Sequence, residues 1–339
     1  MEVAAVAVVG HHLCSRLADV THDVEALESH GFWAVAIDFH GHAVCARFDS
    51  VRPARPWKGR PWKGLPADTW TTSLDRTEFT AGVSTIRDMI AAGDVYQVNL
   101  TRRLSAPLID PDTDIAALGA ALAEGNPAPY AAVLRLPGQG VHIASASPER
   151  FLVRDGGWVA SSPIKGTAAD PSGLTAKDQA ENLMIVDLVR NDLGRVCDYG
   201  TVSVPALFSL EHHPGLVHLV STVRGRLAPG RGWPDLIEAA FPPGSVTGTP
   251  KLAALEAIAA LEPQPRGVYC GAVGWVDADR GRGDLNVAIR TLWIEDDHLH
   301  LGTGGGITYD SDPEDEWQET ELKARRLLAV ATGEYHGVG

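Results

Sequence analysis

The sequence has 339 residues, 45% apolar and 21% charged, with a formal net charge of −14. These are ordinary globular values for a chain long enough to form one large domain or two. The acidic balance argues against general nucleic-acid binding, which needs a basic face. An anionic substrate gains nothing from the overall field, so its site must supply cations, backbone N–H groups or a metal locally. Cys14, Cys45, Cys197 and Cys270 are scattered, with no Cys-x-x-Cys. They read as reduced, mostly buried thiols of a cytoplasmic protein rather than as zinc ligands. The opening MEVAAVAVV is too short to cross a bilayer and lacks the basic start of a secretion signal. No later apolar run approaches the roughly 18 residues of a span, so no membrane association is expected.

In chain order, residues 1–50 read as strands at 3–9 and 33–37 with a helical stretch at 23–30. Residues 51–70 carry a tandem, Arg55-Pro-Trp-Lys-Gly59 followed by Arg60-Pro-Trp-Lys-Gly64. Two copies are too few for a repeat array. A cationic docking loop is one reading; an exposed linker expanded by duplication is the simpler one. Residues 77–92 place Phe79, Val83, Ile86 and Ile90 on one helical face, and Gly93 ends that helix. A strand follows at 94–102, carrying Gln97, then a helix at 114–123. Strands at 131–136 and 141–146 form a hairpin around Pro137-Gly138. Ser147-Pro-Glu149-Arg-Phe151 comes next, at a strand end.

The stretch 161–192 concentrates more chemistry. Pro163-Ile-Lys165-Gly-Thr167 holds a lysine on a short, stiff turn, and a helix follows from about 175 to 193. Leu183, Val186, Leu188 and Val189 would bury one stripe of it. Asp178 and Glu181 can project from one helical turn. Alone, such a lysine is usually a solvated turn residue, and such a pair usually offsets the helix dipole. Side by side, they suggest a site for an anion and a hard cation.

Beyond it, strand character returns at 202–204 and around His218 in HHPGLVHLVSTVRGR, with a short helix at 235–240. FPPGSVTGTPK (241–251) is a rigid loop leading into a helix at 251–261. Its glycine and lysine spacing does not match the phosphate loop G-x4-G-K-[ST], which excludes a nucleotide loop of that kind. Strands at 269–276, 285–294 and 298–302 lead to Thr303-Gly304-Gly305-Gly306-Ile307. There the backbone N–H groups of a strand-to-loop junction could face an anion, or the glycines could form a plain turn. A last helix at 313–331 places Glu316, Glu319 and Lys323 on one face.

Taken in order, these blocks resemble the chorismate-utilising enzymes, the family of anthranilate synthase component I, aminodeoxychorismate synthase component I, isochorismate synthase and salicylate synthase. The resemblance runs from about 77 to 331. It rests on SPERF, PIKGT, AENLMIVDLVRNDLGRV, VHLVST, FPPGSVTGTPK, RGVYCGAVGW, AIRT, GTGGGI and EWQETELK. It implies an α+β fold: a single large chorismate-binding unit with two mainly antiparallel sheets packed face to face and helices outside. Residues 1–75 would be an N-terminal α/β portion packed on a catalytic core of 76–339. The first 70 residues carry no family motif.

The resemblance also implies roles. Glu181 and Glu319 would bind Mg²⁺, with Asp178 and Glu316 as outer carboxylates; related sequences often have Glu at the position of Asp178. The metal would meet the ring carboxylate of chorismate, with Lys323 nearby. Arg290, Tyr269 and the backbone at Gly304, Gly305 and Gly306 would hold the pyruvyl carboxylate. His218 would lie against the ring, and Gly166, Thr167 and Gln97 would complete the pocket.

Two positions separate members of the family. Where isochorismate and salicylate synthases carry a lysine base, this chain has Gln97, and glutamine cannot usefully take a proton from water. Anthranilate synthases typically have alanine where this chain has Lys165. A lysine there resembles aminodeoxychorismate synthase, which implies amination of chorismate at C4. Lys165 would attack ring C2, Glu149 would protonate the departing C4 hydroxyl, and ammonia would enter at C4. The product, 4-amino-4-deoxychorismate, lies on the route to p-aminobenzoate and folate. The four cysteine contexts (LCS, VCA, VCD, YCG) are not glutaminase nucleophile elbows, so ammonia would come from solution or from a separate glutamine amidotransferase subunit. The alternatives are anthranilate synthase component I and a non-catalytic homologue that only partners the amidotransferase; the intact set of charged site residues argues against the latter.

Overall fold

The computed structural model describes residues 4–110, 113–168, 170–213 and 216–335. Among the described residues, 18 strands join in one curled hydrogen-bonded network, and every ladder in it is antiparallel. Six α-helices accompany the strands: α1 (Arg76–Ala92), α2 (Ile115–Gly125), α3 (Ala176–Gly194), α4 (Trp233–Ala240), α5 (Lys251–Leu261) and α6 (Pro313–Ala331). This is the mixed, mainly antiparallel α+β class that the sequence predicts.

The helices form where caps and periodicity agree. Asp75 and Glu78 close a capping box on α1, and Gly93 ends it at φ 86°, a conformation glycine adopts without a Cβ penalty. Phe79, Val83 and Ile86 are fully buried, each contributing about 2 kcal/mol relative to exposure. Helix α3 departs from its expected stripe. Leu183 is 53% exposed, whereas Ile185, Val186 and Val189 are buried. The polar Asn182 joins them, tying α3 to the Leu216–Arg226 strand through Leu219 O and Ser221 Oγ.

The N-terminal strands pair with the rest of the sheet. Val6–Val9 lies beside Tyr130–Leu136, and Phe32–Ile37 beside Ala272–Asp277. Two long strands, His12–Thr21 and Ala43–Pro53, complete this region; their mixed polarity hides them from a pattern search. The helix expected at 23–30 is a 3-10 turn, Val24–Glu28. The expected first strand begins at Val3, which lies outside the described residues, as do Pro214 and Gly215. The tandem is not a uniform linker. Its second copy packs on the end of α6, with Trp62 Nε1 donating to Ala331 O at 2.9 Å and Leu65 N to the same oxygen at 3.0 Å. The first copy stays exposed.

Three local expectations change. The lysine turn at 163–167 is part of a strand, Ile164–Ala168, that bulges against Leu216–Arg226 between Ile164 and Thr167. The triple glycine is strand as well: His298–Ile307 runs through it, with Gly304, Gly305 and Gly306 opposite Thr101, Leu100 and Asn99. The strand expected at 285–294 is two, Arg282–Val287 and Thr291–Glu295, because the chain turns at Arg290 with φ 50°.

A buried ion pair locks the strand Gln97–Pro107 to α5. Arg266 and Glu262 are 2% and 6% exposed, 2.7 Å apart, and Arg266 also donates to Val246 O and Asn99 O. Glu262 accepts from the N–H and hydroxyl of Thr101. Removing the guanidinium would strand a buried carboxylate. Arg266→Met is therefore expected to cost about 3–5 kcal/mol in urea unfolding; a loss under about 1 kcal/mol would show that the pair does not brace the fold.

Candidate active site

Glu149 follows the Val141–Ser147 strand and is 4% exposed. It lines one small cavity with Ser245 and Asp192. Burial dominates and pushes its pKa up to about 7, against the opposing pull of Ser245, Lys165 and Ile164. A carboxylic acid half-protonated at neutral pH is suited to general acid–base work.

Lys165 and Gln97 meet at the triple glycine. A Cβ on Gly306 would stand 2.1 Å from Gln97 Nε2 and 3.1 Å from Lys165 Nζ. Without a Cβ, Gly306 leaves room for both side-chain ends there. Gln97 is 1% exposed, and among the described residues its Oε1 has no hydrogen-bond partner. Gly166, beside Lys165, has φ 84°, and a Cβ on it would meet the Asp178 side chain at 2.8 Å. Of Thr167, only the backbone is described. His218, buried, lies opposite Thr167 and Glu211 in the ladders.

The neighbouring glycine faces the other way, since successive strand residues point to opposite sides. A Cβ on Gly305 would stand 3.0 Å from Glu316 Oε2, 4.0 Å from Glu319 Oε1 and 4.0 Å from Lys323 Nζ. Lys323 pairs with Glu319 at 2.6 Å and donates to Gly304 O at 2.9 Å. Ser311 Oγ donates to Glu316 Oε1 at 2.5 Å. The glycines therefore open both faces of one strand, α6 carboxylates on one side and Lys165 on the other. The strand Thr291–Glu295 pairs with His298–Ile307 only as far as Leu301, and no other ladder among the described residues covers that edge from Gly302 onward. Along such an edge alternate N–H groups point outward, so the chain's turn at Arg290 leaves backbone donors available at the glycines.

Arg290 itself is half-buried, and among the described residues no hydrogen bond or ion pair engages its guanidinium. Burial, with the charge of Arg326, lowers its pKa from the usual arginine range. A desolvated guanidinium lacking a carboxylate suits an anionic ligand. The buried ring of Tyr269 packs on Gly302, two residues before Gly304, and burial raises its pKa well above the usual phenol range. Asp178, expected as an outer carboxylate, closes a capping box on α3 by accepting from Thr175 N and Oγ1, both at 2.7 Å. Glu181 sits one turn further along α3, half-buried.

Among the described residues, no three His, Cys, Asp or Glu side chains converge closely enough to hold a metal by themselves. Mg²⁺ does not need them to, because it keeps waters and shares itself with substrate anions through one or two carboxylates. The space above Gly305, lined by Glu316 and Glu319, fits that donor set. Sequence reasoning missed Asn182 and Arg266, which act through contacts made in the fold.

Residues 55–329 match the family model described as chorismate binding enzyme, and the chain belongs to that family. It is 45% identical over 273 residues to anthranilate synthase component 1 of Streptomyces coelicolor, covering 77% of this chain and 52% of that one. It is 38% identical over 314 residues to aminodeoxychorismate synthase component 1 of Escherichia coli, covering 87% and 68%. An aminodeoxychorismate synthase of Streptomyces pristinaespiralis is 47% identical over 262 residues, 73% of this chain but 36% of that protein. The chain thus spans about half or less of some curated relatives. Among solved structures, anthranilate synthase component I from Streptococcus pneumoniae superposes with a TM-score of 0.76 at 25% identity, covering 96% of this chain and 90% of that one. The menaquinone-specific isochorismate synthase of Escherichia coli shares the fold, with a TM-score of 0.79 at 19% identity, covering 97% and 88%. No helix among the described residues is long and apolar enough to cross a membrane.

Proposed function

We propose that this chain is an aminodeoxychorismate synthase component I, aminating chorismate at C4 with ammonia delivered by a separate glutamine amidotransferase. The observation that carries this reading is Lys165, whose Nζ approaches the Gly306 position beside Gln97 and whose charge reaches Glu149. Lys165, as a free amine, attacks ring C2 of chorismate. The ring double bonds shift, and the C4 hydroxyl leaves as water on taking the proton of Glu149. Ammonia then bonds to C4, the double bonds return, and the bond from C2 to Lys165 breaks. Glu149, now a carboxylate, takes the surplus proton from the incoming nitrogen, which restores the acid. Arg290 and the outward N–H groups at Gly304–Gly306 would orient the pyruvyl carboxylate, and His218 would wall the ring. Gln97 at the same place offers no basic nitrogen to activate water. Glu181 and Glu319, with Glu316 and Asp178 behind them, would hold Mg²⁺. When bound, Mg²⁺ supplies Lewis-acid charge at the ring carboxylate.

Anthranilate synthase is the second reading, favoured by the 45% identity to the Streptomyces coelicolor relative. Product identification separates the two. With chorismate, Mg²⁺ and ammonium, followed by an aminodeoxychorismate lyase, p-aminobenzoate is expected; anthranilate without the lyase would overturn the C4 assignment. Glutamine in place of ammonium is expected to give no product until an amidotransferase is added. Glutamate released from glutamine by the purified chain alone would contradict that expectation.

A further inference from the structure

We propose that Gln97 and Thr249 form a pocket for ammonia beside Lys165, the amide oxygen and the hydroxyl each accepting one of its hydrogens. The inference rests on the reading that ammonia is the nucleophile that enters the ring.

The two residues sit directly opposite one another where the short strand Gly248–Thr249 pairs with Gln97–Pro107. Opposed residues of an antiparallel pair share one face of the sheet, with Cβ atoms about 5 Å apart. The backbone is pinned on both sides of this pair. Tyr96 N donates to Thr249 O and Asn99 N to Thr247 O, both at 2.7 Å. A Cβ on Gly248 would stand 2.1 Å from Gln97 O, so the short strand lies directly on the Gln97 backbone. Arg266 clamps the same two segments, donating to Val246 O at 2.8 Å and to Asn99 O at 2.7 Å.

Within this frame two polar atoms are left over. Gln97 Oε1 and Thr249 Oγ1 are both buried, and among the described residues neither has a hydrogen-bond partner. A hydroxyl and a carbonyl oxygen on opposed residues could bond to each other, yet these do not. Buried polar atoms are rarely left unpaired, because each one that is costs stability. A small donor held between them satisfies both. The nitrogen of the Gln97 amide approaches Gly306, where Lys165 Nζ also comes close. The ligand therefore rests one side chain away from the amine. Tyr96 and Pro250, next in each strand, are exposed, so a single residue separates the pair from solvent.

Ammonia matches this chemistry. With three N–H donors it can give two to these oxygens and keep its lone pair free for carbon. Both acceptors are neutral, and Gln97 is an amide where a carboxylate would favour ammonium, which has no lone pair to give.

The test is KM for ammonium and KM for chorismate, at one pH with saturating Mg²⁺, in the wild type, Thr249→Val, Thr249→Ala and Thr249→Ser. Thr249→Val keeps the shape and removes the hydroxyl. It is expected to raise KM for ammonium about three- to tenfold, the loss of one hydrogen bond, with KM for chorismate and the unfolding temperature unchanged. Thr249→Ala should give the same rise and carries the comparison if the valine variant folds poorly. Thr249→Ser, which keeps the hydroxyl, should stay within about twofold of the wild type. An unchanged KM for ammonium in both hydroxyl-free variants, or a parallel rise in the two KM values, would overturn the proposal. A rise in Thr249→Ser as large as in Thr249→Val would reduce Thr249 to packing and overturn it too. Amination at either carbon consumes ammonia, so anthranilate as product would fail the C4 assignment and leave this comparison standing.

Discussion

Replacing Lys165 by alanine is expected to lower formation of 4-amino-4-deoxychorismate by on the order of a thousandfold or more in kcat, and to move any residual amination to C2. The expectation follows from where the amine must act. Ammonia that attacks the ring directly at C2 leads toward anthranilate, so nitrogen reaches C4 only if another group occupies C2 first and then departs. Lys165 Nζ stands at the face of the sheet that Gly306 leaves open. A lysine that only neutralised a substrate carboxylate would behave otherwise, since Lys165→Ala would then weaken binding and leave the rate constant for C4 amination unchanged. Measuring both products from one reaction separates these roles: an unchanged kcat with a raised KM would exclude the covalent one.

The second large effect concerns the α3 and α6 carboxylates. Glu181→Gln and Glu319→Gln are each expected to abolish turnover, and the wild type should be inactive in EDTA and recover with Mg²⁺. Glutamine keeps the shape and loses the charge that a hard cation requires. Losing about 4 kcal/mol of transition-state stabilisation amounts to roughly a thousandfold in rate. Lys323 pairs with Glu319, so metal binding would compete with that pair. Equilibrium dialysis with Mn²⁺ as probe should show weaker uptake in Glu319→Gln than in the wild type. Wild-type turnover in both variants, or full activity in EDTA, would show that these carboxylates do not hold a catalytic metal.

The helices were largely legible from the sequence because their signals are local. The i, i+3 carboxylates on α6, the apolar face of α1 and the glycine after it all lie within a few residues of one another. The Thr175-x-x-Asp178 capping box was equally readable, yet the family pattern drew Asp178 toward the metal. The strands around the site were harder. Pro163 and Gly166 punctuate the Lys165 segment like a turn, and three glycines disfavour a strand. In both places the ladder with a distant strand overrides local preference. Arg290 splits an apolar run that alternation alone would read as one strand. Asn182 left no local signal, and Arg266 left only the Glu262 four residues before it. Asn182 meets Leu219 and Ser221, 37 and 39 positions on, and Arg266 reaches Asn99 across 167 positions besides Glu262 four residues before it; only the closed sheet makes the long contacts.

The most direct measurement of the central claim, that nitrogen enters at C4 because Lys165 first occupies C2, is peptide mapping of enzyme quenched during turnover of chorismate with limiting ammonium. A chorismate-derived mass on the peptide containing Lys165, absent in Lys165→Ala and removed when ammonium is added before quenching, is the predicted result. Unmodified Lys165 in enzyme that is still producing 4-amino-4-deoxychorismate, or an adduct that ammonium does not discharge, would contradict it.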